Sequence, residues 1–197
     1  MDYRVINPYL GYWVEYKLEK DIIDFLWERI DDAKKINLSH KNCLAGNISR
    51  SLRLEDKDSY FDNFMDTAVK IYENKIINSH VSTYWVNFQK KHEFNPIHTH
   101  DRDFSFVIWL KIPTDWKEQQ KLPFLKGIQQ GSERVSDFEF IMTNMLGKIE
   151  HYQYHLDPSM EGSMLLFPSK LNHQVYPFYE SDEERISVSG NVIVETK

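Results

Sequence analysis

Between Phe104 and Ile112 the chain reads Phe-Ser-Phe-Val-Ile-Trp-Leu-Lys-Ile, a β-type run with almost no polar break. Aromatic and β-branched residues fit a pleated surface, so a run this apolar reads as a strand buried inside the domain. The rest of the chain has to cover it. Its approach is equally constrained: Asn95-Pro96 pushes the residue before proline into an extended conformation. His98 and His100 follow two apart, so on an extended segment both imidazoles leave the same face. Asp103 stands just before the strand. Two imidazoles beside carboxylates at the mouth of a buried strand form the sequence pattern of a metal site.

The texture before this stretch is helical. Ile22, Phe25, Leu26 and Ile30 recur at helical spacing between Glu19 and Lys35, with acids early and Lys34-Lys35 late, as the helix dipole favours. Phe61, Phe64, Met65, Ala68 and Tyr72 mark a second helix over 60–74, with Asp58 or Ser59 as its N-cap. Residues 1–17 read as one or two short strands, and Leu44–Ser51 as a loop packed near the site or a short strand. After His80 the alternation becomes β. Strands are expected over 81–89 (Trp85 and Asn87 sharing a face), 136–146 and 148–156 joined at Gly147, 163–167, 173–178 and 185–195. Residues 114–135 read as a long polar excursion, mobile or facing substrate. The expected fold is α+β and mainly β, a jelly-roll, cupin-like barrel. One domain spans 1–197, with a helical supporting layer in 1–79 and the barrel in 80–197.

Bulk properties remove some functions. A net charge of -6 argues against general nucleic-acid binding. Cys43 is the only cysteine, which excludes an intrachain disulfide or a multi-thiolate zinc module and points to a reducing, cytoplasmic setting. No stretch of about 18 apolar residues exists, so no membrane partner is expected. Of the other histidines, His151 and His155 read as lying on a solvated strand face, and His40, His80 and His92 have no useful spacing.

A third ligand candidate is His173, which follows a strand and a proline-bearing turn in Gly162-Ser-Met-Leu-Leu-Phe-Pro-Ser-Lys-Leu-Asn-His. Twelve residues on, Arg185 and Ser187 share a strand face, where a guanidinium and a hydroxyl can clamp a carboxylate. The bland alternative pairs Arg185 with Asp182, Glu183 and Glu184 in a solvated contact.

Taken jointly, His98, His100, Asp103, the strand to Pro113, Gly162, Leu166–Ser169, His173, Arg185, Ser187 and Asn191 resemble the iron(II)- and 2-oxoglutarate-dependent oxygenase superfamily. The likeness covers roughly 80–195 and is closest to members frequent in tailed phages of cyanobacteria. It implies a double-stranded β-helix, Fe(II) on a facial triad, and 2-oxoglutarate held by Arg185 and Ser187, with dioxygen as the other co-substrate. The implied reaction hydroxylates an unidentified substrate, with a protein or peptide side chain preferred. Trp85, Phe104, Phe106 and Trp109 would form an apolar wall near the site.

One position departs from the familiar His-x-Asp…His triad, since His100 stands where the aspartate would be. Two ligand sets stay open: His98, His100 and His173, or one of the first two histidines with Asp103 (less readily Asp101) as the carboxylate. The extended entry favours the three histidines, leaving Asp103 as a partner that fixes an imidazole tautomer. Two other functions also fit: a cupin-like metalloenzyme without 2-oxoglutarate, although the cupin glutamate is missing, and a non-catalytic β-barrel binding module.

Overall fold

The computed structural model describes residues 11–56, 58–127 and 134–195. Its ten strands are β1 (Val14–Lys17), β2 (Arg50–Arg53), β3 (Ser79–Gln89), β4 (Asn95–His98), β5 (Phe104–Lys111), β6 (Phe138–Thr143), β7 (Ile149–Tyr154), β8 (Ser163–Pro168), β9 (Asn172–Val175) and β10 (Arg185–Val194). They form two antiparallel sheets, one ordered β1-β8-β5-β10-β3-β2 and the other β4-β9-β6-β7. Helices α1 (Lys20–Ile36) and α2 (Tyr60–Glu73) lie before the β-rich half, and the short α3 (Trp116–Gln119) follows β5.

The alternation of β5 explains its unbroken apolar appearance. Phe104, Phe106, Ile108 and Leu110 belong to one buried cluster with the helices, while Val107 and Trp109 belong to a second one with the smaller sheet. β8 splits in the same way, with Met164 and Leu166 toward the helices and Leu165 and Phe167 toward the other sheet. Successive strand side chains leave opposite faces, so a strand covered on both sides is apolar at both parities. Helix α1 buries Ile22, Leu26, Ile30 and Ala33, and α2 buries Phe61, Met65, Ala68, Val69 and Tyr72. Phe61 sits fully buried between Tyr84 and Phe106, 5.2 and 5.6 Å from their ring centroids. Burying one such aromatic contributes about 2 kcal/mol, which ties α2 to the sheet. Between the sheets, Phe140 meets Phe167 at 4.9 Å and Trp109 meets Phe138 at 5.6 Å.

Several expectations need correction. Ser59 occupies the N-cap position of α2, one of the two residues expected, but at φ 54 its side chain makes no cap bond; the Asp56 carboxylate accepts from Phe61 N (2.8 Å) and Asp62 N (3.1 Å) instead. Of residues 1–17 only the last part falls within the described residues, where β1 pairs with β8. The strand expected over 173–178 ends at Val175. The hairpin at Gly147 forms as read, with φ +77 at the glycine, a conformation open to a residue without Cβ. His151 and His155 do not merely face solvent. Their Nδ1 atoms lie 3.0 Å from the buried carboxylates of Glu139 and Asp137. Those acids are invisible as partners in sequence because they lie on or just before the opposite strand of the hairpin. No helix among the described residues is long and apolar enough to cross a membrane.

Candidate active site

β4 and β9 pair so that His98 lies directly opposite His173. Each of these imidazoles is fixed by a carbonyl two residues upstream: His98 Nδ1 is 2.7 Å from Pro96 O, and His173 Nδ1 is 2.9 Å from Leu171 O. A carbonyl only accepts, so Nδ1 carries the proton and Nε2 keeps its lone pair. His100 follows β4, where its backbone N–H donates to Ser169 O at 2.9 Å. One ligand atom from each histidine lies within 4.8 Å of the others. Burial lowers the pKa of all three; His98 further depresses His100, which falls to about 4, and both depress His173, which falls to about 3. Neutral imidazoles at pH 7 leave their lone pairs free for a cation.

The carboxylates stand elsewhere. Asp103, the alternative ligand or tautomer-fixing partner, instead accepts from Val194 N at 2.9 Å and ties the end of β10 to the turn before β5. Asp101 is exposed and pairs with Lys170 at 2.6 Å. Two of the three imidazoles, those of His98 and His173, are oriented by backbone carbonyls, which a search for side-chain partners does not find.

Arg185 lies at the other end of the same cavity and is 1% exposed. Its neighbouring acids do not neutralise it, because Asp182 pairs with Lys91 and Glu183 with Lys111. The guanidinium donates through one Nη to Ser136 O (3.1 Å) and Ser136 Oγ (2.7 Å), and through the other to Gln89 Oε1 (3.4 Å). It sits 4.9 Å from the Phe178 ring centroid. Burial pulls its pKa down to about 9, partly offset by the charge of Asp137, so it stays protonated at neutral pH. Among the described residues its Nε has no partner, and the guanidinium's hydrogen bonds go to uncharged acceptors. Such a group is costly to bury unless an anion arrives.

The wall between the two ends is a cross-strand ladder. Arg185 faces Gln89, Ser187 faces Asn87 and Ser189 faces Trp85, and all six line a cavity of about 110 Å³. The unpartnered buried atoms Trp85 Nε1, Asn87 Oδ1, Asn95 Oδ1 and Arg185 Nε belong to residues lining it. Phe106 and Trp109 contribute apolar surface as expected. Phe104 does not; it faces the helices and meets Tyr72 at 4.8 Å. Cys43, Leu44, Ala45 and Ile48 border the cavity, which bears out the Leu44–Ser51 loop as packed near the site. Gly46 is required there, since a Cβ would stand 2.0 Å from Asn95 Oδ1 and 2.4 Å from Phe94 O. Outside the cavity lining, His40 stacks on Trp85 with centroids 4.5 Å apart.

The excursion takes a different place from the one expected. Within 114–127, Gln119 clasps the Tyr179 backbone through both N (2.7 Å) and O (2.9 Å), and Trp116 stacks on His155 at 4.3 Å. None of these residues lines the cavity, and 128–133 lie outside the described residues. Sequence reasoning missed Ser136 and Gln89 as partners of Arg185. Gln89 had a signal, being the third polar or amphipathic residue at alternate positions of β3.

These residues fit an iron and 2-oxo acid pair. Imidazole nitrogens suit Fe(II), and the buried guanidinium with a free Nε suits a dianion. Among solved structures the chain is similar to a Pseudomonas putida prolyl-4-hydroxylase (TM-score 0.56, 15% identity, 90% of each chain covered). It is also similar to a viral collagen prolyl hydroxylase from Paramecium Bursaria Chlorella virus-1, solved as a 2OG complex (0.56, 13%, 95% of this chain and 98% of that one). A third is a Trichoplax adhaerens prolyl hydroxylase bound to a hypoxia inducible factor oxygen degradation domain peptide fragment (0.56, 11%, 92% and 82%). At these identities the likeness establishes the double-stranded β-helix fold. The curated proteins contain no match to this chain. A family model described as "Putative 2OG-Fe(II) oxygenase" matches residues 83–191, a span that holds all three histidines, Arg185 and Ser187. The chain therefore belongs to the 2-oxoglutarate- and iron(II)-dependent oxygenase family and is a dioxygenase of that cofactor class.

Proposed function

We propose that His98, His100 and His173 hold Fe(II), that Arg185 and Ser187 hold the distal carboxylate of 2-oxoglutarate, and that the enzyme hydroxylates a protein or peptide side chain. The observation that carries the reading is the pairing, in one cavity, of three converging imidazoles with a buried arginine whose Nε is unsatisfied. With dioxygen, the iron and 2-oxo acid supply an oxidation that decarboxylates the co-substrate and inserts oxygen into a C–H bond. The chain's own part is separate. The carbonyls of Pro96 and Leu171 hold two imidazoles with Nε2 lone pairs available, and the low pKa values keep protons off them. Ser187 and Asn87 line the path between the two ends, while Phe106, Trp109 and Phe167 exclude water along the walls.

The peptide preference draws on the peptide-bound Trichoplax neighbour and on the loop over Leu44–Ile48 at the cavity edge. The likeness to cyanobacterial-phage members rests on the His-x-His and Phe-Pro-Ser…His…Arg-x-Ser motifs, and a cytoplasmic setting on the single free Cys43. The test follows Fe(II)- and dioxygen-dependent succinate release from 2-oxoglutarate, then screens a peptide library by mass spectrometry for an added oxygen. Succinate formed by the wild type and lost in Arg185→Ala is expected. An enzyme that consumes no 2-oxoglutarate with any peptide or without one would overturn the proposal.

A further inference from the structure

Ser136 is the least ordinary residue around the arginine. It is fully buried, yet its backbone sits at φ +67, a left-handed conformation that a serine adopts only at some cost. Its N–H is committed to Pro177 O at 2.8 Å, and its hydroxyl lies 3.3 Å from Thr114 Oγ1. In that conformation the carbonyl and the hydroxyl of one residue both receive the same Nη of Arg185, at 3.1 and 2.7 Å. Gln89 is the guanidinium's other hydrogen-bond partner, and at 3.4 Å it is a weak one. Anchored mainly along one edge, the group keeps its unpartnered Nε for whatever the cavity receives.

The strain is offset by the two bonds to the buried guanidinium. Residue 136 lies just before β6, and a glycine there would adopt the same φ without penalty. A glycine would also retain the carbonyl. What it would lack is the hydroxyl, which makes the shorter of the two bonds.

We infer that Ser136 is a positioning residue for the co-substrate, its left-handed conformation aiming two oxygens at Arg185 so that the guanidinium meets the distal carboxylate of 2-oxoglutarate in a fixed orientation. The inference rests on the proposed role of Arg185 and extends it to a residue 49 positions away in the chain.

Two variants separate orientation from folding. Ser136→Gly relieves the backbone and Ser136→Ala keeps it strained, but both remove the hydroxyl. Melting temperature is expected to rise or hold in the first and fall in the second. In an anaerobic titration of the Fe(II)-loaded protein, followed by the visible iron-to-2-oxoglutarate charge-transfer band, both variants should raise the 2-oxoglutarate Kd by about tenfold, the weight of one hydrogen bond to a charged group. Fe(II) affinity, measured separately, should not change in either. An affinity that tracks the melting temperature, intact in Ser136→Gly and weak in Ser136→Ala, would make the role merely structural and overturn the inference alone. A wild type that binds Fe(II) without showing the band would remove the role of Arg185, and this inference with it.

Discussion

The two ends of the cavity are built by opposite means. At the proposed metal end, His98 and His173 are each fixed by a carbonyl two residues upstream in the chain, and the His100 backbone by a bond to Ser169. The groups are neutral, and the loop carrying Cys43 and Ala45 leaves that end open to solvent. At the arginine end a full charge is almost completely buried, and its partners Ser136 and Gln89 lie 49 and 96 positions away. Local anchoring suits ligands that must present lone pairs in a set geometry. Long-range anchoring suits a charge that has to be held inside the fold until an anion offsets it. If this contrast is right, damage at one end should leave the other's binding intact.

The largest effects should show that independence. His173→Ala removes one of the three proposed ligands and should weaken Fe(II) by at least ~100-fold, more than the loss of an outer-shell partner. Arg185→Ala should weaken 2-oxoglutarate by a similar ~100-fold, the scale for truncating one side of a buried charge pair, with Fe(II) affinity unchanged by calorimetry. Loss of metal in Arg185→Ala would join the two ends and break the contrast.

Acid should act on the metal end first. His100 and His173 titrate at about 4 and about 3 when folded, against 6.5 when free, so the unfolded chain binds more protons between those values. Stability of the metal-free protein is therefore full above pH 6.5 and falls as the pH drops toward 4.5, by on the order of 3 kcal/mol. Thermal melts across this range should show the fall, and His173→Gln should flatten it. A wild-type melt that stays level from pH 6.5 to 4.5 would contradict the buried neutral imidazoles.

Smaller effects sharpen the picture. Gly46→Ala puts a methyl 2.0 Å from Asn95 Oδ1, so the loop must shift, at a cost of about 1–3 kcal/mol in denaturant melts. Gln119→Ala removes both hydrogen bonds to Tyr179 and should cost about 1–2 kcal/mol in denaturant melts while leaving Fe(II) affinity unchanged.

The same contrast explains what was legible in the sequence. The helical stripes, the β5 run, the Gly147 hairpin and the His-x-His entry all depend on spacing within one element, and the structure reproduces them. The bland reading of Arg185 failed because the local acids have their own lysines, Lys91 and Lys111. Ser136 and Gln89 could not be paired with Arg185 without the register that sets Arg185 opposite Gln89. Asp103 was near enough in sequence to be taken for a ligand, but its carboxylate is occupied by Val194 N. The 114–135 excursion reads as substrate-facing because it is polar, whereas its described part is tied to the Tyr179 backbone through Gln119 and lines none of the cavity.

The central claim is a metal site of three neutral histidines without a protein carboxylate. Its most direct test is anaerobic titration with Fe(II) and then 2-oxoglutarate, reading the visible charge-transfer band in wild type, His100→Ala and Asp103→Ala. The account predicts that Asp103→Ala keeps the band and the wild-type affinities, and that His100→Ala loses it. A band that survives in His100→Ala and disappears in Asp103→Ala would put the carboxylate on the metal and contradict the three-histidine site.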